Sequence, residues 1–205
     1  KFFTDNFNRT FFGGESVEFN YESSLELFKW GAFAQVSQEL FKKRLVLSLG
    51  VRADANNYNE HMQNLLNQLS PRFSASFMLT QDWYLNFNTG RFYQLPAYTT
   101  LGFKNPEGVA VNKQNDLKYI RSDHFVAGLE VLPDDQSKFS IEGFYKKYDN
   151  YPFSLIDSIS LASKGADFGI YGSEPVESIA EGRAYGAELL YRNRDLFGIN
   201  LILSY

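Results

Sequence analysis

Three absences narrow what this chain can be. It has no cysteine, which excludes a disulfide-stapled fold and a thiolate metal site. No run approaches the roughly 18 to 20 apolar residues that a membrane-spanning helix needs, so a helical membrane protein is excluded. The net charge of -4 at pH 7 offers no basic surface to a nucleic acid, and we expect no nucleic acid as a partner.

Residue patterns that carry catalysis are also missing. The two histidines, His61 and His124, do not form a His-x-x-x-His pair of metal ligands. Asp134 and Asp135 follow Pro133, and that pattern predicts a turn rather than a general acid/base pair. Neither a Gly-x-Ser-x-Gly nucleophile elbow nor a glycine-rich phosphate loop is present. We therefore predict no enzyme, no metal site and no cofactor.

The chain is rich in segments where apolar and polar residues alternate. Hydrophobic residues make up 44% of it and aromatic residues 17%. Alternation is clear over residues 44–54 and 70–96, and because strand side chains point to opposite faces in turn, one face of each segment is apolar. The apolar positions are Leu45, Leu47, Leu49, Val51, Phe73, Ala75, Phe77, Leu79, Trp83, Leu85 and Phe87, and the polar ones include Ser48, Arg52, Asp54, Arg72, Ser74, Ser76, Asn86 and Asn88.

The same pattern predicts further strands along the chain. They lie within residues 25–40, 123–131, 139–148, 183–192 and 198–205, with a short strand at residues 15–21. Residues 1–14 are predicted to be a loop, and the spacing of Met62, Leu65, Leu66 and Leu69 predicts a helical turn. The fold class that follows is all-β, an antiparallel meander of about eight long strands in a single domain.

The predicted connections alternate in length. Short turns follow Leu40, Leu79 and Val131 and lie near residues 193–195, whereas long loops span residues 56–69, 94–121 and 150–182. Outer-membrane barrels have short turns on one side and long loops on the other. Strands of roughly ten residues, rising about 3.3 Å per residue and tilted near 40°, span about 25 Å, the height of a barrel's apolar band. The pattern favours a transmembrane β-barrel. The alternative is a soluble sandwich, in which a second layer would seal the apolar face.

Six segments resemble the barrel of TonB-dependent outer-membrane receptors, and they occur in the order that such receptors show. These segments are residues 45–54, 70–77, 90–96, 123–130, 142–149 and 181–188. The resemblance implies that residues 1–205 form part of a barrel of about 22 strands, filled by an N-terminal plug. Neither the plug nor the TonB-contacting segment is found in this sequence, and we expect the chain to be an excerpt of a longer protein.

The resemblance also implies a function and partners. The function would be active import of a scarce nutrient across the outer membrane of a Gram-negative bacterium, with energy supplied by TonB. The nutrient could be a ferric chelate such as a siderophore, cobalamin, haem or an oligosaccharide. Outer-membrane lipid and the TonB complex, reached through the missing N-terminal region, are the other expected partners. A passive porin-like or small structural barrel and a soluble carbohydrate-binding β-sandwich are the alternative functions.

Five residues are candidates for the ligand path. Arg52 and Arg72 lie on the polar face, which the resemblance places around a wet lumen. Arg91, Tyr93 and Gln94 lie where a strand enters a long loop, and loops of that length usually bind a ligand. The alternative is that these side chains belong to an ordinary solvated sheet face. A slice of barrel has open strand edges and a bare apolar face, so the isolated chain is also expected to self-associate.

Overall fold

Ten strands account for most of the chain that the structure describes. The computed structural model describes residues 2–10, 16–164 and 172–205, with side chains described for residues 24–164 and 172–205. In chain order the strands are β1 (Phe2–Thr10), β2 (Ser16–Ser24), β3 (Lys29–Leu40), β4 (Leu45–Asn56), β5 (Leu69–Met78), β6 (Trp83–Gln94), β7 (Ile120–Val131), β8 (Ser137–Ser154), β9 (Val176–Leu196) and β10 (Ile199–Ser204). Four short helical segments lie in the long loops: α1 (Glu60–Gln63), a 3₁₀ turn (Leu65–Gln68), α2 (Tyr98–Leu101) and α3 (Val111–Gln114).

Strands β3 to β10 form one antiparallel sheet in which every strand pairs with its neighbours in the chain. This confirms the predicted all-β meander of eight long strands. The sheet is open, with β3 and β10 at its two edges, so it is part of a barrel rather than a closed one. Strands β1 and β2 pair only with each other in a separate two-stranded sheet.

Connections between the strands alternate as predicted. Short turns at residues 41–44, 79–82, 132–136 and 197–198 lie at one end of the sheet. Long loops at residues 57–68 and 95–119, and a third described at residues 155–164 and 172–175, lie at the other. In the β7–β8 turn the carboxylate of Asp134 accepts hydrogen bonds from the backbone N–H groups of Gln136 at 2.8 Å and Ser137 at 2.6 Å. These bonds hold the pKa of Asp134 below its ordinary value and confirm that this acidic pair belongs to a turn.

Three sequence predictions of local structure are wrong. Residues 2–10, predicted as part of a loop, form β1, because pairing with β2 supplies hydrogen bonds that their weak alternation does not predict. Residues 1 and 11–14 of the predicted loop lie outside the described residues. The turn predicted at Asn193–Asp195 falls at Phe197 and Gly198, both with positive φ, and Asp195 instead accepts a hydrogen bond from the Gly198 N–H at 3.0 Å.

The third error concerns the loop predicted over residues 150–182. Strand β8 continues to Ser154 and β9 begins at Val176, so the connection is shorter. A register shift follows Tyr148, and Asn150 has a positive φ of 58°. The ladder resumes at Tyr151 and includes Pro152, a residue that is tolerated at bulges in a strand.

The main sheet has one apolar and one polar face. The apolar face carries Val36, Leu49, Phe73, Leu85, Phe87, Phe125, Leu129, Ile141, Tyr145, Tyr185 and Leu189, which the pairing register places in phase across β3 to β9. Leu49, Leu85 and Phe125 expose 57%, 47% and 49% of their surface, so among the described residues no second layer covers this face. The soluble sandwich required such a layer and is therefore wrong. None of the helices in the described ranges has the length and hydropathy to span a bilayer.

The short turns are staggered along the sheet. A single hydrogen-bonded row joins Leu40, Leu45, Phe77, Leu85, Leu129, Ile141 and Leu189. The β3–β4 hairpin closes at this row, whereas β9 runs on for seven more residues, from Leu189 to Leu196, before it turns. An offset that grows steadily from strand to strand is the register of strands that tilt within a barrel.

The described parts of the three long loops pack together into a unit that we call the loop cap. Its core consists of Tyr58, Met62, Leu101, Leu117, Tyr119 and Val176, all buried. The first long loop contributes two of these residues, the second contributes three, and the third is represented by Val176, where β9 begins, so the loops are not independent of one another. Within the described residues, the main cluster of buried hydrophobic side chains lies in this cap rather than on either face of the sheet.

Candidate functional site

The polar face of the sheet is lined by hydrophilic side chains that run from β3 to β9. Its rows carry Gln35, Ser48, Arg52, Asp54, Arg72, Ser74, Ser76, Asn86, Asn88, His124, Glu130, Glu142, Lys146 and Glu188. The five candidate residues are divided by this alternation. Arg52, Arg72 and Gln94 lie in phase on the polar face, whereas Arg91 and Tyr93 lie in phase with the apolar face, beyond its apolar stripe.

Arg52 and Arg91 are each held by a carboxylate. The guanidinium of Arg52 donates two hydrogen bonds to Asp54, at 2.6 and 2.8 Å. That of Arg91 donates two to Asp123 on β7, at 2.7 and 3.1 Å. Bidentate hydrogen bonds of this kind fix the side chains and occupy their donors within the wall. These two arginines therefore stabilise the wall and are not arranged to bind an incoming anion.

Arg72 is held differently, by aromatic stacking. Its guanidinium carbon lies 4.5 Å from the centre of the Phe92 ring, and that ring lies 4.6 Å from the ring of His124. A Cβ on Gly90 would lie 3.2 Å from both Arg72 Cγ and Phe92 Cε2, so the glycine leaves space for the two side chains to lie along the wall. The Nε2 atom of His124 is 2.6 Å from the hydroxyl of Ser122, so this histidine is hydrogen-bonded within the wall.

Two cavities open along this face. The larger, about 640 Å³, lies where the polar face meets the loop cap and is lined by Tyr93, Gln94, Ser122, His124, Tyr148 and Tyr151 among others. The smaller, about 290 Å³, lies further along the strands and is lined by Gln35, Ser74, Asn88, Arg72, Phe92 and His124 among others. His124 and Phe92 line both, so they join the two cavities into one path.

A chain of asparagine side chains holds the loop cap above this path. The amide of Asn112 donates to the carbonyl oxygens of Thr100 at 2.7 Å and Glu174 at 2.9 Å and accepts from the N–H of Val176 at 2.8 Å. Asn59 donates to the carbonyl of Leu117 at 2.8 Å, which links the first long loop to the second. Because Asn112 is fully buried and bonded on both sides of its amide, the second and third loops are locked together.

A buried ion pair fastens the third loop to its own strand ends. The ammonium of Lys164 lies 2.5 and 2.6 Å from the two carboxylate oxygens of Glu174, and the hydroxyl of Ser154 donates to the same carboxylate. Asp157 contacts Lys164 as well. Within the described residues no group of three His, Cys, Asp or Glu side chains is arranged to hold a metal ion.

The sequence matches a known family along almost its full length. The family model described as "TonB dependent receptor-like, beta-barrel" matches residues 2–205. This chain belongs to that family. Among solved structures, it is similar to the chain named "Copper transporter OprC", with 15% identity and a TM-score of 0.54 over 87% of this chain. It spans 29% of the length of that chain. No curated protein matches the sequence.

Membership of the TonB-dependent receptor family assigns the two faces of the sheet. In such barrels the apolar band meets lipid and the other face surrounds the lumen, so the path of Arg72, Phe92 and His124 lies on the inner wall. The long loops and their cap then lie at the extracellular end and the short turns at the periplasmic end.

Sequence reasoning missed Phe92 and the role of the asparagines. Alternation alone places Phe92 on the polar face, in phase with Gly90 and Gln94. An aromatic residue among polar ones is unusual, and that feature of the sequence could have identified Phe92. Nothing in the local sequence distinguishes Asn112 from other loop asparagines, because its three partners lie 12 to 64 residues away.

Proposed function

We propose that this chain forms part of the wall and extracellular loops of an outer-membrane receptor that binds a scarce nutrient and imports it with energy supplied through TonB. The observation that supports it most is the pairing of an open, lipid-compatible apolar face with a polar face that leads from a packed loop cap into a lumen. The role is binding and transport rather than catalysis, in the outer membrane of a Gram-negative bacterium. Residues 2–205 match the barrel, so contact with TonB belongs to other parts of such a receptor.

The five candidate residues have different roles in this proposal. Arg72 and Gln94 face the lumen and line its cavities, and we propose that they contact the solute. Tyr93 packs against the core of the loop cap and lines the larger cavity, so it joins the cap to the path. Arg52 and Arg91 brace the wall through Asp54 and Asp123 and position their neighbours.

The nutrient is left as a class: a ferric chelate such as a siderophore, cobalamin, haem or an oligosaccharide. Copper, which the name of the similar structure carries, is not transferred, because a likeness at 15% identity concerns the fold. The two free edges, β3 and β10, also lead us to expect that the isolated chain self-associates. Light scattering in detergent-free buffer tests this, and a clean monomer would contradict it.

Uptake measurements test the transport proposal. The full-length receptor is expressed in a Gram-negative host whose own TonB-dependent receptors have been deleted, with TonB either present or deleted. Accumulation of radiolabelled ferric citrate, ferric siderophore, cobalamin, haem iron and a labelled maltooligosaccharide is then compared. We expect one probe to accumulate only when TonB is present. A passive barrel would show accumulation that does not depend on TonB and would let small sugars swell liposomes.

A further inference from the structure

One hydrogen-bonded row of the polar face collects positive charge. The register places Gln35, Gly50, Arg72, Gly90, His124, Lys146 and Ala184 in a single row across seven strands. Arg72 and Lys146 flank the pair formed by Gly90 and His124, and no acidic residue lies in the row. With strands spaced about 4.8 Å apart, the two cations start about 14 Å apart at their Cα atoms.

Aromatic rings support both cations. The Arg72 guanidinium carbon is 4.5 Å from the centre of the Phe92 ring, and the Lys146 ammonium is 4.8 Å from the centre of the Phe144 ring. A ring face attracts a cation without neutralising it and holds the side chain along the wall. The charge of each therefore remains available to an anion.

Other cations of the same strands are paired with acids. Lys138 contacts Glu130 at 2.5 Å, and Lys147, the neighbour of Lys146, contacts Asp149 at 3.1 Å. Among the described side chains, neither Arg72 nor Lys146 has a carboxylate within ion-pair distance. The row thus holds two charges that the wall leaves uncompensated.

Arg72 lines the smaller cavity. Its polar neighbours in that lining include Gln35, Ser48, Ser74, Asn88 and His124, its apolar ones include Phe73, Phe92 and Val126, and none of the lining residues is acidic. Amides, hydroxyls and a guanidinium supply the donors that a carboxylate accepts from. Its volume of about 290 Å³ suits a small organic anion.

We propose that this row binds the carboxylate groups of an anionic ligand, with Arg72 as the primary contact and Lys146 as a second, separate contact. The inference rests on the proposed function for its setting and deepens it, because it selects polycarboxylate ligands, free or as metal chelates. The carboxylates can come from an imported solute or from acidic side chains of the receptor's own chain within the lumen. Both sources use the same chemistry.

Citrate binding to the full-length receptor tests the proposal. Isothermal titration calorimetry in detergent, at low and at high salt, compares the wild type with Arg72→Gln, Lys146→Gln and Arg72→Lys. We expect citrate to bind the wild type more weakly at high salt, each glutamine variant to lose about tenfold in affinity, and Arg72→Lys to keep part of it. Lys147→Gln is the matched control, since it removes a neighbouring charge from the opposite face and should leave citrate binding unchanged.

The source of the carboxylate follows from the same variants. Citrate binding that depends on Arg72 and Lys146 identifies a solute site. If citrate does not bind but both glutamine variants lower the thermal midpoint of the receptor, and Arg72→Lys restores part of it, the carboxylate belongs to its own chain. The proposal is overturned if neither citrate affinity nor midpoint responds to these variants. Calorimetry needs no TonB, so its failure is separate from a failure of TonB-dependent uptake.

Discussion

The side-chain oxygen of Asn112 accepts a hydrogen bond from the backbone N–H of Val176 at 2.8 Å, and both residues are fully buried. Asn112 belongs to the second long loop and Val176 is the first residue of β9, directly after the third, so the bond joins two segments that are 64 positions apart in the chain. The contact between the second and third loops in the loop cap consequently depends on the side-chain amide of Asn112.

Replacing Asn112 with alanine should loosen the loop cap. The change leaves the N–H of Val176 without its side-chain acceptor, at a cost of about 1–3 kcal/mol for a buried group left unsatisfied, and removes one donor from each of the carbonyls of Thr100 and Glu174. Hydrogen exchange of the full-length receptor should speed up over residues 95–119 and 172–178 but not in β4 or β5. Gln114→Ala, on the exposed side of α3, is the control, and equal exchange in the two variants would contradict the prediction.

A charge on the apolar face should hinder membrane insertion. Phe87→Arg puts a guanidinium at a half-exposed position of β6 that faces lipid, where arginine costs about 2–4 kcal/mol near the bilayer midplane. Urea titration of the full-length receptor refolded in lipid vesicles should show the loss. Asn88→Arg, one residue along and on the polar face, should cost much less. Equal losses would mean that the faces are assigned incorrectly.

Glycines on the two faces should respond oppositely to an added methyl group. At Gly128 a Cβ would lie 2.6 Å from Glu142 Cγ and 2.9 Å from the backbone oxygen of Ile141, whereas at Gly143 the nearest atom is 4.0 Å away. We expect Gly128→Ala to destabilise the receptor by about 1–3 kcal/mol, because the backbone contact cannot yield, and Gly143→Ala to be neutral or slightly stabilising. The same urea titration measures both, and a stable Gly128→Ala variant would refute the close packing of β7 on β8.

Mild acid should weaken the first long loop. Burial of the ring and the nearby charge of Lys118 lower the pKa of His61 below its ordinary value of 6.5, although Asp116 acts in the opposite direction. The folded loop therefore favours the neutral ring. The unfolded loop then binds the proton more readily, and the loop's stability, present in full above pH 6.5, falls as the pH drops through the lowered pKa. Hydrogen exchange over residues 57–68 should therefore speed up in acid, and His61→Gln should remove that dependence. An unchanged pH response in the variant would assign it to another group.

The strands and their alternation could be predicted because both follow from local residue order. The sequence places Leu45, Leu47 and Leu49 on one face of β4 and Ser48 and Arg52 on the other, and the structure confirms this. The β9–β10 turn could not be placed, because Asn193 and Asp195 look like turn residues but only cap the segment that precedes the reversal.

The site was predicted less completely than the fold. Arg72 could be placed on the polar face, but its difference from Arg52 depends on the ring of Phe92, which lies on the neighbouring strand β6, and on the lack of an acidic partner among the described residues. The loop cap depends on contacts between segments more than 40 residues apart, such as the hydroxyl of Tyr58 donating to the carbonyl of Leu101 at 2.9 Å. No periodicity encodes such contacts.

The stagger of the short turns has a consequence for how a solute would descend through the barrel. An offset of seven residues over six strands means that each row of paired residues is inclined by about 40° to the plane of the short turns. The β9 end of each row therefore lies nearer the long loops than its β3 end. Lys146 then lies roughly 5–10 Å nearer the extracellular end than Arg72, so the carboxylate groups of a descending anion would reach Lys146 before they reach Arg72.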